Sequence, residues 1–322
     1  MSEFELIDRL HARIGRPDGG IALGIGDDAA VLQVPPGRQL VACTDTLVGG
    51  VHFEPSVDPR ALGHKSLAVN LSDLAAMGAE PAWFLLALTL PGDDADWVER
   101  FADGMAVAAL ESGVFLAGGD TTRGSLSVTV TALGFVPPGA ALTRSGARAG
   151  DRIFVSGAPG RAAFAVQGRR AGLDVPEDCA SALDFPVPRV ALGLALRGVA
   201  TACIDVSDGL AADLGHVLKQ SGAGAQLDLG RLPVPGALSG LSNEQRWTLQ
   251  LAGGDDYELC FTAPESRAGD VSRAALEAAV PVHEIGTVKA TQGLVLLRPD
   301  GRPFDLARAG YEHFADTGGG GA

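Results

Sequence analysis

Apolar and polar positions recur with two periods along this chain. Residues 2–14 put Phe4, Ile7, Leu10 and Ile14 on one helical face, behind the capping-box pair Ser2 and Glu5. Apolar stretches at 21–25, 29–34 and 39–44 predict strands, with Pro35-Pro36-Gly37 turning between the last two. Asp58-Pro59 offers an N-cap and an N1 proline to a helix that runs to about Met77 and stops at Gly78. A continuous apolar strand at 83–90, a helix at 94–112, a strand at 113–117 and an alternating strand at 126–136 follow.

Residues 137–151 are rich in Pro, Gly and Arg and mark a boundary, with 138–151 as linker. Beyond it the pattern predicts strand 152–156, helices near 159–171 and 188–198, strand 201–205, helix 210–221 and strand 225–229. A Pro-rich loop at 233–236, a helix near 242–251, strand 257–262, helix 266–279 and strands near 283–288 and 293–297 complete it. Helices and strands interleave throughout, so the class is α/β or mixed α+β. The domains fall at 1–137 and 152–317, and the glycine-rich end, 318–322, reads as a disordered tail.

The length of 322 residues agrees with two domains. With 46% hydrophobic and 20% charged residues the chain has ample apolar surface to bury, which excludes disorder as its main state. Acidic residues number 39 and basic ones 25, a formal charge of −14. That balance argues against binding nucleic acid or an anionic membrane. Lysines occur only at 65, 219 and 289, so a phosphate ligand would need metal ions or a few placed arginines. The cysteines at 43, 179, 203 and 260 form no C-x-x-C, which fits a reduced, cytoplasmic protein. Glu3, Glu5 and Asp8 do not suit a signal peptide, and the longest strongly apolar run, 83–90, is far short of the ~20 residues of a spanning helix.

Aspartates recur on Gly-, Ser- or Thr-flanked segments expected to be loops: Asp27-Asp28, Thr44-Asp45, Asp73, Gly119-Asp120, Asp205 with Ser207 and Asp208, and Asp255-Asp256. Any one of them reads as a turn. Three follow an apolar strand directly, where ligands gather in α/β proteins. Several carboxylates brought together repel one another unless a cation lies between them. Carboxylates with Ser and Thr hydroxyls are hard oxygen donors that suit Mg²⁺, and such a cluster commonly holds phosphates.

Gly24-Ile25-Gly26-Asp27-Asp28-Ala29 matches a dinucleotide fingerprint, but a strand follows it instead of a helix. Gly63-His64-Lys65-Ser66 resembles the end of a phosphate-binding loop, yet it lies inside a predicted helix and lacks the preceding glycine. His52 is either a surface or capping residue or a ligand contact one short loop from Asp45. Arg144 is either a linker charge or a phosphate partner across a cleft. Asn70 and Asp73 share a helix face, either as a solvated stripe or as functional groups in an otherwise apolar helix.

At this point the sequence resembles the thiamine-monophosphate kinases. The matching runs are GIGDDAA at 24–30, TDTLVGGVHF at 44–53, KSLAVNLSDLAAMGAEP at 65–81, GGDTTRG at 118–124, LTRSG at 142–146, DVSDGL at 205–210, GGDDYELCF at 253–261 and GYEHF at 310–314. They follow one another in order from near the first helix to near the C-terminus. The wider superfamily also holds aminoimidazole ribonucleotide synthetase, selenophosphate synthetase and a hydrogenase-maturation protein.

The resemblance implies the two-domain fold of the aminoimidazole ribonucleotide synthetase-like superfamily, with the N-terminal domains of a homodimer forming a shared barrel-like interface. It implies ATP as co-substrate and several Mg²⁺ ions held by Asp28, Thr44, Asp45, Asp73, Asp120, Asp205 and Asp208. ATP contacts would be Gly119, Asp120, Arg144 and Ser207. Thiamine monophosphate would meet His52, Asp255 and Tyr311. The reaction implied is phosphoryl transfer from ATP to thiamine monophosphate, giving thiamine diphosphate, the last step of that cofactor's biosynthesis. No protein base is assigned, because the acceptor phosphate is already an ionised oxygen nucleophile near neutral pH. Two positions depart from the family pattern. Cys43 stands where Ser or Thr is usual, leaving only its backbone carbonyl as a plausible donor to a hard cation. Asp255 stands where Glu is usual and is one methylene shorter.

Overall fold

The computed structural model describes residues 9–10, 12–14, 19–307 and 309–311. The helix expected over 2–14 is seen at residues 9–10 and 12–14, and its capping box lies outside the described residues, as does the glycine-rich tail. Leu10 and Ile14 are buried, as their spacing requires.

In the N-terminal half, β1 (Ile21–Leu23) and β2 (Val31–Leu32) form a small antiparallel ribbon. The principal sheet contains β3 (Gln39–Val48), β4 (Glu80–Leu90), β5 (Phe115–Arg123) and β6 (Ser127–Val136) in the order β3-β6-β4-β5. Only the β4–β5 pair is parallel. Helices α1 (Pro59–Ala76) and α2 (Ala95–Ser112) cover one face, packing Leu67, Leu71, Phe101 and Met105 over Phe84, Leu86, Val128 and Val130. On the other face Trp83, Ala117 and Phe135 pack with Ile21 and Leu32 of the β1–β2 ribbon, while along β3 it is open: Leu40 is 46% exposed, and hydroxyls pair across it at Thr44–Thr131 and Thr46–Thr129.

Helix α1 starts where the sequence says. The Asp58 side chain accepts from the Arg60 amide and Pro59 occupies the first turn. Every α1 residue except Arg60 and Asp73 is buried, so the helix runs through protein on all sides. Glycines allow the close approach. A Cβ at Gly63 would lie 1.9 Å from the Phe101 carbonyl oxygen, and one at Gly104 would lie 1.8 Å from that of Arg60.

The C-terminal half is a six-stranded sheet in the order β12-β9-β11-β7-β10-β8. Its strands are β7 (Arg152–Ser156), β8 (Ala202–Val206), β9 (Gly224–Asp228), β10 (Glu258–Ala263), β11 (Val282–Lys289) and β12 (Gly293–Leu297). All neighbours are antiparallel except β12 and β9. Both faces are covered. Ile153, Val155, Ile204 and Cys260 meet α6 (Leu210–Ser221) and α7 (Asn243–Ala252) on one face. Phe154, Cys203, Leu259 and Phe261 meet α5 (Val190–Ala195) and α8 (Ala268–Glu277) on the other. Burial on both faces explains why these strands read as unbroken apolar runs. Ala75 and Ala76 of α1 join this second cluster, so α1 belongs to both halves.

Two sequence expectations need correction. The helices α3 (Arg161–Arg170) and α4 (Glu177–Asp184) both form, but only α3 was foreseen; α4 is short and hemmed by Pro176 and Pro186. Thr44-Asp45 and Gly119-Asp120 do not lie on loops. They sit inside β3 and β5, because ladder pairing to β6 and β4 carries the strands straight through their Asp, Gly and Thr residues.

Candidate active site

Asp45 points from β3 to the covered face of its sheet, along with Cys43 and Leu47, while Thr44 points to the open face. The Thr44 hydroxyl is spent on the Val130 carbonyl and Thr131, so its side chain is turned away from Asp45. Asn70, fully buried on α1, accepts from the Asp45 amide at 3.0 Å and donates to the Ser66 carbonyl at 3.1 Å. The polar stripe on α1 is therefore not a solvated one: Asn70 is buried and bonds the strand that carries Asp45, and Asp73 follows one turn later.

Asp73 and Asp45 are neighbours, and Asp205 at the end of β8 adds its charge at Asp73 and feels that of Asp45. Ser72 Oγ donates to Asp205 Oδ2 at 2.7 Å, a bond between the two halves. Asp208 contributes negative potential at Asp45. Burial and this mutual repulsion push the Asp73 carboxyl up to about 8 and that of Asp205 up to about 6. Asp45 is also raised, chiefly by burial, although hydrogen bonding to Asp73 and the His52 charge oppose the shift. The Arg144 guanidinium lowers both Asp73 and Asp205 and is the cation facing them from the linker. Cys43 sits beside Asp73 and Asp45; burial and both charges drive its thiol upward, so it stays protonated and offers no thiolate.

The turn after β8 is held from within. Asp213 Oδ2 on α6 accepts from the amides of Ser207, Asp208 and Gly209 at 3.0, 3.1 and 3.1 Å. Burial and the neighbouring Asp205 and Asp208 nevertheless raise Asp213 to about 7. Sequence reading missed Asp213; its signal was an acid on the otherwise apolar face of α6.

The three residues expected to meet the acceptor all border this cluster. His52 Nδ1 accepts from the Val48 amide at 3.0 Å, which leaves the Nε2 side of the ring toward other partners, and the ring neighbours Asp45. The Asp255 amide donates to the Ser207 carbonyl at 2.9 Å, and the Tyr311 amide donates to the Asp208 carbonyl at 3.1 Å. Segments far apart in sequence are thus stitched onto the 205–209 turn. Asp255 and Tyr257 both have left-handed backbone, with φ of 69° and 50°.

Two expected metal ligands stand apart. Asp28 is exposed, and its amide bonds only the neighbouring Asp27 carboxylate. Asp120 is exposed on β5, an edge strand. Gly119 has a packing reason as well, because a Cβ there would lie 1.9 Å from the Leu86 carbonyl oxygen. Among the described residues no three His, Cys, Asp or Glu side chains converge tightly enough to enclose a metal ion unaided. The donor chemistry still fits Mg²⁺, which is commonly held by one or two carboxylates completed by water and substrate phosphates, rather than by an all-protein cage.

Comparison with known proteins agrees with this architecture. Residues 26–136 match the N-terminal domain and residues 148–298 the C-terminal domain of AIR synthase related proteins. The chain is 48% identical to the thiamine-monophosphate kinase of Escherichia coli strain K12, over 97% of this chain and 98% of that one. The crystal structure of thiamine-monophosphate kinase from Stenotrophomonas maltophilia K279a superposes with a TM-score of 0.86 at 46% identity, covering 94% of this chain and 98% of that one. AaThiL, solved in complex with AMPPCP and TMP, superposes at 0.76 with 30% identity, covering 97% of each chain. With both halves matched and the likeness running almost end to end, the chain belongs to the thiamine-monophosphate kinase family within the AIR synthase related proteins.

Proposed function

We propose that the acidic cluster between the two halves is where ATP phosphorylates thiamine monophosphate, with Mg²⁺ ions joining both sets of phosphates to the protein. The observation that carries this reading is the meeting of Asp45 and Asp73 from one half with Asp205 and Asp208 from the other, opposite Arg144. Asp45, Asp73, Asp205 and Asp208 would hold the ions. The exposed Asp28 and Asp120 would join once phosphates draw cations toward them, whereas Thr44 is engaged in the ladder with β6. Bound Mg²⁺ supplies charge neutralisation and alignment of two anionic reactants.

The chain's own residues do the rest. Arg144 pairs with nucleotide phosphate beside Gly119 and the Ser207 side chain. His52 and Asp255 orient the acceptor, and Tyr311, 45% exposed, presents a ring face to its cationic thiazolium. No side chain is required as general base, since the acceptor oxygen is ionised at neutral pH, with a second phosphate pKa of about 6.

Two further elements belong to the same reading. The open face of the N-terminal sheet, with Leu40 half-exposed and a ladder of threonines, is the surface we assign to a homodimer contact. Among the described residues no helix is long and apolar enough to cross a membrane. We place the enzyme in the cytoplasm, beside its ATP supply.

The test is ADP release coupled to formation of thiamine diphosphate, followed against pH. The expected result is strict dependence on thiamine monophosphate and Mg²⁺, with kcat/KM for the acceptor rising through about pH 6 and then levelling, in wild type and in His52→Ala alike. Loss of the ascending limb in His52→Ala would identify a protein base and overturn the base-free mechanism.

A further inference from the structure

Lys65 stands on α1 with its side chain 9% exposed, beside the 29%-exposed side chain of Asp255. Its Nζ lies 2.9 Å from Asp255 Oδ1. Among the described residues it pairs with no other carboxylate. A buried ammonium is tolerated when a counter-charge meets it. Here that counter-charge comes from the opposite half of the molecule.

The same oxygen receives a second anchor. The Tyr257 hydroxyl donates to Asp255 Oδ1 at 2.9 Å, and Lys65 Nζ sits 6.0 Å from the centre of the Tyr257 ring. The backbone is arranged to make this possible. Asp255 and Tyr257 take left-handed conformations that side-chain-bearing residues avoid, and hydrogen bonds hold them there: the Asp255 amide to Ser207, the Tyr257 amide to Val206. Both anchors act on Oδ1. Among the described residues Oδ2 has no hydrogen-bond donor.

We propose that Lys65 is a positioning residue for the acceptor: with Tyr257 it pins Oδ1 of Asp255, so that Oδ2 faces the cleft as the oxygen that accepts from the amino group of the acceptor's aminopyrimidine ring. This inference rests on the reading of Asp255 as an acceptor contact. It assigns Lys65 no contact with ATP and no part in the transfer itself. It also explains why a lysine is kept within the core of a protein that has so few: an uncharged residue would leave the carboxylate free to rotate and to present either oxygen.

The experiment compares Lys65→Met, Lys65→Arg, Tyr257→Phe, Asp255→Asn and the Lys65→Met/Asp255→Asn pair in steady-state kinetics on the full chain, varying thiamine monophosphate and ATP separately. A hydrogen bond to a charged group of the usual strength predicts that Lys65→Met raises the KM for thiamine monophosphate about ten-fold. The KM for ATP and kcat should change less than about two-fold, Lys65→Arg should recover part of the loss, and Lys65→Met should add little once Asp255 is Asn. Should Lys65→Met fail to fold, Tyr257→Phe removes a single hydroxyl and should raise the same KM about three-fold. If Asp255→Asn raises the acceptor KM while Lys65→Met, or in its absence Tyr257→Phe, leaves it unchanged, the positioning role is overturned and the acceptor site stands. If Asp255→Asn itself has no effect on that KM, the reading of Asp255 falls and takes this inference with it.

Discussion

Asp45, Asp73 and Asp205 meet between the two halves of the molecule, whereas Asp28 and Asp120 stand on exposed backbone of the N-terminal half. In the first group Asp205 is buried and Asp45 and Asp73 are half-buried; they are crowded and held by neutral partners: Asn70 at the Asp45 amide, Ser72 at Asp205. Its carboxyls are pushed upward by their surroundings. The second group lies in solvent, which screens charge. The contrast teaches that the fold itself crowds one set of acids together and leaves the other set in solvent.

The sharpest way to break this contrast is to neutralise one acid from each region. Asp73→Asn and Asp45→Asn should each lower turnover at least ~100-fold, the scale of losing charge stabilisation in phosphoryl transfer. Asp28→Asn and Asp120→Asn should cost about ten-fold and recover partly at high Mg²⁺, because a solvent-exposed charge is worth less. Equal losses at all four positions in a Mg²⁺ titration would erase the distinction.

A smaller effect should appear in stability. Asp73 titrates near 8 and Asp205 near 6 in the folded protein, above the ordinary value of 3.8. Between about pH 4 and 8 the native state therefore binds more protons than the unfolded chain, and stability falls as pH rises through that window. Metal-free protein should lose about 3 °C or more in Tm between pH 5 and 8.5. Asp73→Asn or added Mg²⁺ should flatten the slope, while Asp120→Asn should leave it intact. A Tm that rises across this range would contradict the crowding of the cluster.

The smallest effect concerns the acceptor side. Asp255→Glu should alter the KM for thiamine monophosphate by a few-fold and leave that for ATP alone, since the added methylene shifts only the oxygen pair beside Lys65. A change confined to ATP would put this residue on the wrong side of the cleft.

Local signals made most of the scaffold legible. Asp58-Pro59 and Gly78 bracketed α1 nearly to the residue, and Asp94 was both the foreseen start and the observed cap of α2. What failed was local chemistry overruled by pairing. Asp, Gly and Thr normally punctuate loops, yet in β3 and β5 they are strand residues because β6 and β4 run alongside them. Helix α4 was hidden between prolines. In the candidate site, the recurrence of Asp pointed to acids that the structure brings together in part, but nothing in a linear pattern shows that Ser72 would bond Asp205 or Lys65 would bond Asp255, since each partner lies far along the chain. Lys65 itself, set aside as the remnant of a false phosphate loop, is the ion-pair partner of Asp255.

The turn at 207–209 carries a consequence for nucleotide traffic. In many phosphate-binding proteins the vacant amides at a helix start greet the anion directly. Here one carboxylate, Asp213, has already occupied all three. An unescorted ATP arriving at this turn would find negative charge where such proteins offer donors. Affinity for the free tetra-anion should accordingly be low, and the species captured from solution should be the metal–nucleotide complex, which an ATP titration with and without added Mg²⁺ would show.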